Sequence, residues 1–217
     1  MLIRASPGIL FALSGAGIYA GVLALYLLLK HVDRESTFRL SPNDNCIILG
    51  AAALAAYLIA FQGLSVWMVP FFVYLLYAFI LDAKTQMVYD LLHYPVILGS
   101  IGVLAAQLIQ HQLSLPSLGL ALVGYFLFLG VQYWRHCYGF ADTLAYTACG
   151  LALCTQAPGR ALAPYEILIY LLAISNAAFL VTNLFNFAPK GKTKEPTAFI
   201  PCIAFAVMFM AAVICLP

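Results

Sequence analysis

The chain has 217 residues, 65% of them hydrophobic and only 8% charged, with a formal net charge of +2. So few charges cannot solvate the surface of a water-soluble domain, and basic residues this scattered do not form a nucleic-acid surface. What is left is a polytopic membrane protein.

The first apolar run, Gly8 to Leu29, has the length of a bilayer crossing. It is too long for the apolar core of a signal peptide, and no small-x-small cleavage site follows it, so it reads as a retained anchor. Lys30 to Asn45 is the longest polar stretch and is too short to fold alone. Further apolar runs follow at Cys46 to Phe61, Leu64 to Leu81, Pro95 to Ile109, Leu118 to Trp134, Phe140 to Cys154, Tyr165 to Phe187 and Ala198 to Leu216. The expectation is an all-α bundle of about eight spans, with Cys46 to Phe61 and Phe140 to Cys154 short for the task. Runs rich in Gly, Ala and Leu lack the alternation of a membrane barrel, so helices are the spanning elements. Residues 1–62 form an N-terminal helical part and residues 63–217 a six-helix core. No internal repeat of the transporter kind is visible.

Alternating the loops between two sides sorts the charges. The loops after spans one, three, five and seven hold Lys30, Arg34, Arg39, Lys84, Arg135, Lys190, Lys192 and Lys194, eight of the ten basic residues. The positive-inside rule puts these loops in the cytoplasm and both termini outside. Asp82 and Asp142, each at the edge of an apolar run, then fall on the same cytoplasmic face.

Acids at the ends of bilayer-length runs are costly to place and often functional. Two on one face can form an aspartyl-protease pair that shares a proton, one acting as base on water and the other as acid. Each can equally mark only a helix end, and Asp90 competes with Asp82. Gly139 and Ala141 beside Asp142 permit close backbone approach, or simply break the chain between helices. Lys84 reads as a charge partner for Asp82 or as an interfacial anchor. His93 and His136 lack the supporting spacing of a metal site and read as boundary polar residues. The six cysteines include no C-x-x-C pair, so no zinc ribbon or redox couple is signalled. The Lys190–Lys194 cluster reads as a topology signal and headgroup contact.

The residues around the two acids resemble the type IV prepilin peptidase family, membrane aspartyl proteases with a GxGD-type site. Asp82, Lys84, Val88, Asp90, Leu92 and Pro95 fit the frame of the family's first motif, with Tyr89 where proline is usual and His93 where threonine is. Gly139, Asp142 and Gly150 match the second motif, with Ala141 in place of its second glycine and Leu144 where lysine is common. Phe199, Pro201 and Ala204 retain parts of the segment that opens the family's last helix. The resemblance runs from about Asp82 to the C-terminus. It implies a cytoplasmic-membrane endopeptidase that removes the basic leader of prepilin-like precursors. Asp82 and Asp142 would be catalytic, with Lys84, Asp90, Gly139 and Ala141 shaping the site or binding substrate. No metal or other cofactor is implied. The cysteine-bearing cytoplasmic insertion of many relatives has no counterpart in Lys30 to Asn45, so neither zinc nor a methyltransferase activity is expected. An ion- or proton-coupled transporter and an inactive relative acting in assembly remain alternatives from the residues alone.

Overall fold

The computed structural model describes residues 6–32, 38–186 and 198–215. Among them are eight α-helices and no strand: α1 Pro7–Val32, α2 Pro42–Phe61, α3 Met68–Thr85, α4 Tyr94–Ile109, α5 Leu115–Trp134, α6 Phe140–Cys154, α7 Pro164–Asn186 and α8 Ile200–Ile214. A single 3-10 turn, Asp90–Leu92, precedes α4. Six stretches are long and apolar enough to cross a membrane, which defines a multi-pass helical membrane protein: Pro7–His31, Pro42–Phe61, Met68–Thr85, Asp90–Ile109, Leu115–Trp134 and Pro164–Leu184. Helices α6 and α8 are apolar but shorter. The Lys190–Lys194 cluster and Arg34 lie outside the described residues.

Local chemistry sets where the helices begin. Ser41 and Asp44 form a capping box: the Ser41 hydroxyl accepts from the Asp44 amide at 3.3 Å, and the Asp44 carboxylate accepts from the Ser41 amide at 2.5 Å. With Pro42 in the first turn, this starts α2 ahead of its apolar run and makes it 20 residues long. The short run at Cys46 is therefore a full-length helix. Ser114 caps α5 in a similar way, accepting from the Ser117 amide at 3.2 Å.

Helices α3, α6 and α8 form the interior, and the others surround them. From Ala145 to Cys154 every residue of α6 except Thr147 is buried, so the helix presents little of itself to lipid. Fifteen residues rise about 22 Å. That is less than a hydrocarbon core, but from Ala145 onward the helix is covered by its neighbours rather than by lipid. Around it α1, α4, α5 and α7 leave large apolar side chains exposed, such as Leu13, Leu98, Leu120 and Ile169.

Small residues bring helices close, as expected where lipid is as apolar as leucine. A Cβ on Gly21 would sit 2.6 Å from Val73, and one on Gly99 would sit 2.3 Å from the Trp67 ring. Polar residues join the helix seams as well. His93, just before α4, and Ser100 and Gln107 within it follow one another at seven-residue intervals on the inward side. Tyr74 on α3 lies 2.7 Å from His93 Nδ1, and Gln107 donates to the Thr155 carbonyl at 2.7 Å.

At one end of the bundle, Gln156 accepts from the Ser65 amide at 3.0 Å, and Arg160 donates to the Gly63 carbonyl at 2.6 Å. These bonds join the start of α3 to the loop after α6, so the two helices run antiparallel. Their other ends carry Asp82 and Asp142.

Candidate active site

Three helix ends meet around a cavity of about 390 Å³. The last turn of α3 contributes Asp82, and the chain that follows contributes Gln86, Met87 and Val88. The start of α6 contributes Gly139, Phe140, Ala141 and Asp142, and the start of α8 contributes Ala198, Phe199 and Ile200. Two acids 60 positions apart in the chain thus line one space.

Each acid is held by a helix N-terminus. Asp82 is 7% exposed and accepts from the Ile200 amide at 2.9 Å, so it caps α8 from another helix. Asp142 occupies the third position of α6 and accepts from the Gly139 amide at 3.1 Å. Unpaired amides and the positive end of the helix dipole favour a carboxylate at both places. Both side chains line the same cavity. A pair in this setting can hold one proton between them, take a proton from water with one member and polarise a carbonyl with the other.

Gly139 has an ordinary φ of −71°. What its position requires is space, because a Cβ there would lie 3.2 Å from Asp142 Oδ2. Ala141 also lines the cavity. Beneath this rim the rings of Tyr138, Tyr146 and Phe199 pack with centroids 5.2 to 5.7 Å apart. Tyr138 donates to the Asn176 side chain at 2.9 Å, and the Tyr146 hydroxyl lies 2.6 Å from that of Ser175. The first half of α6 and the residue before it are therefore tied to α7 by two hydrogen bonds, one of them fully buried.

The other two residues expected at the site lie elsewhere. Lys84 does not line the cavity; its ammonium pairs with the Asp44 carboxylate and donates to the Arg39 carbonyl at 3.1 Å. Asp90 is exposed in the 3-10 turn, beyond the extended residues that follow α3. Because α3 ends at Gln86, with a left-handed φ of 53°, the chain turns away before it reaches Asp90. His93, which reads from sequence as a boundary residue, is fully buried against Tyr74. His136 is exposed just after α5. Among the described residues no group of three or more His, Cys, Asp or Glu side chains is arranged to hold a metal ion. Sequence reasoning missed Gln86 and Met87 as cavity wall and Asp44 as the partner of Lys84.

Fold and site together define a helical multi-pass membrane protein with two acids facing one cavity at a single end of its bundle. No protein-family profile, no curated protein and no solved structure matches the chain.

Proposed function

We propose that the chain is a membrane aspartic endopeptidase that removes the leader from type IV prepilin-like precursors. Asp82 and Asp142 are its catalytic pair. The observation that carries this reading is their shared cavity, with Gly139 and Ala141 alongside Asp142 where a substrate backbone needs room. One carboxylate, ionised, takes a proton from a water molecule as its oxygen attacks the scissile carbonyl. The other, protonated, donates a hydrogen bond to that carbonyl oxygen and later supplies the proton for the departing amine.

In this reading the chain crosses the cytoplasmic membrane eight times, with α6 and α8 as the two short crossings and both termini outside. The site then opens at the cytoplasmic face, where a basic leader joins the apolar helix of its precursor. The eight-to-two division of basic residues motivates the orientation. A reporter fused after Pro217 is expected to be active only outside the cytoplasm; cytoplasmic activity would overturn the orientation.

Co-expression with a prepilin-like precursor tests the activity. Loss of the leader, seen as faster migration and a new N-terminus, is the expected result; an intact precursor across a panel of such substrates is the contrary one.

A second reading is favoured by the bonds to Ile200 and Gly139, which make both acids helix caps. Under it the acids are structural and the protein is a non-catalytic assembly factor. A proton-coupled transporter is less well supported, because relay acids usually lie near the bilayer midplane rather than at helix ends.

A further inference from the structure

We infer that Asp44 is a positioning residue for the acid pair, acting through Lys84. The inference rests on the peptidase reading for its functional meaning, and on geometry for everything else. Asp44 lies on α2, outside the stretch that carries the sequence resemblance, and is 7% exposed. Its carboxylate already receives the Ser41 amide at 2.5 Å and the Ser41 hydroxyl at 2.7 Å, which satisfies the capping box. The same oxygen also takes the ammonium of Lys84, from the last turn of α3. Capping does not require that third partner.

Lys84 is held by more than the ion pair. It donates to the Arg39 carbonyl at 3.1 Å, and its ammonium lies 5.9 Å from the centre of the Phe38 ring. The lysine thus binds the segment leading into α2 at three points, two residues along the chain from Asp82.

The consequence follows from how helix ends behave. Terminal turns fray unless something outside the helix holds them. Within the chain, Thr85 staples this turn, its hydroxyl donating to the Leu81 or Met87 carbonyl at 2.7 and 2.9 Å and accepting from the Met87 amide at 3.2 Å. Those bonds shape the turn but do not fix it against the bundle. Besides the packing of Ile80 and Leu81 in the core, two longer-range polar contacts do. Asp82 bonds to the start of α8 on one side, and Lys84 bonds to the start of α2 on the other. The second contact leaves the Asp82 carboxylate itself unencumbered by a cation. A partly exposed ion pair contributes little to global stability, so its effect belongs to geometry. Helix α2 becomes part of the catalytic framework rather than an added anchor.

The test uses the full chain in lipid nanodiscs with the exposed Cys46 and Cys137 replaced by Ser. Spin labels go on Met87→Cys and Phe140→Cys, exposed residues that line the cavity from different elements. The parent is expected to give one narrow distance distribution. Asp44→Asn and Lys84→Met should each broaden or split it, while Lys84→Arg, which keeps the charge, should leave it narrow. Asn retains the acceptor that the Ser41 amide needs, so broadening in that variant reports the ion pair and not the cap. Equal widths in all four proteins would overturn the inference. In prepilin cleavage, Asp44→Asn is expected to lower kcat about tenfold or more with KM nearly unchanged, since small misplacement of a reacting group is costly. Parental kcat in that variant would also overturn it. A parent that cleaves nothing would refute the peptidase reading, while the distance measurement would still decide whether the latch holds the cavity wall.

Discussion

Changing Asp82 or Asp142 to Asn is expected to abolish leader cleavage, with a loss of about 10²–10⁴-fold or more, while the protein still folds and inserts. Asn is nearly isosteric with Asp and keeps an oxygen that can accept from the Ile200 or Gly139 amide. It cannot take or share a proton. The helix caps therefore survive and the chemistry does not. Removing both acids should be little worse than removing one, because members of a catalytic unit are strongly non-additive. Ala at either place removes the cap as well and should cost an additional ~1 kcal/mol of stability. That contrast separates the two readings of the site. If the acids are structural only, the Asn variants should behave like the parent and only the Ala variants should suffer. Asp90→Asn is expected to leave most of the activity, since Asp90 is exposed and does not line the cavity. Cleavage is read in membranes at matched expression. Full activity in either Asn variant at 82 or 142 would end the aspartyl-protease assignment.

What the sequence made legible was set by how far each signal reaches along the chain. Apolar length located every helix, because a bilayer-length run is a property of consecutive residues. The start of α2 was also written locally, in Ser41-Pro42-Asn43-Asp44, yet the polarity of the surrounding stretch hid a helix start inside an apparent loop. The meeting of Asp82 and Asp142 on one cavity follows from counting helices, since alternate ends of an antiparallel bundle share a face. The preference for Asp82 over Asp90 came from the family resemblance alone. That only Asp82 of the two lines the cavity depends on where α3 ends, and that on Gln86 taking a left-handed conformation that no residue type there announces. Pairings between distant positions left no trace at all. Lys84 with Asp44 and Tyr74 with His93 depend on how helices rotate against each other, which small and bulky contacts decide jointly. Exposure misled at His93 for the same reason: a polar residue at the edge of an apolar run can face lipid headgroups or the bundle interior.

Gly150 shows how strongly such packing can be tested. Gly150→Leu is expected to destabilise the protein severely and Gly150→Ala by about 1–3 kcal/mol, the usual range for overpacking a close-fitted core. A Cβ at this position would lie 2.9 Å from Leu168 of α7, 2.9 Å from the Tyr125 hydroxyl of α5 and 3.0 Å from Tyr125 Cε1. Leu168 can shift its side chain, so the cost falls on the rigid Tyr125 ring. Tyr125 is 4% exposed and donates to the Tyr146 carbonyl at 2.8 Å, so it cannot swing aside without losing a buried hydrogen bond. Tyr146 packs in turn on Phe199, which lines the cavity, so the strain reaches the site. Gly119→Ala is the matched control, because a Cβ there meets nothing within 4 Å and Ala favours a helix. It should be neutral or slightly stabilising. Thermal unfolding of the purified variants in one detergent decides the matter. If Gly150→Leu unfolds at the parental temperature, α5 and α7 do not close on α6 as described, and the route from this packing to the cavity is lost with it.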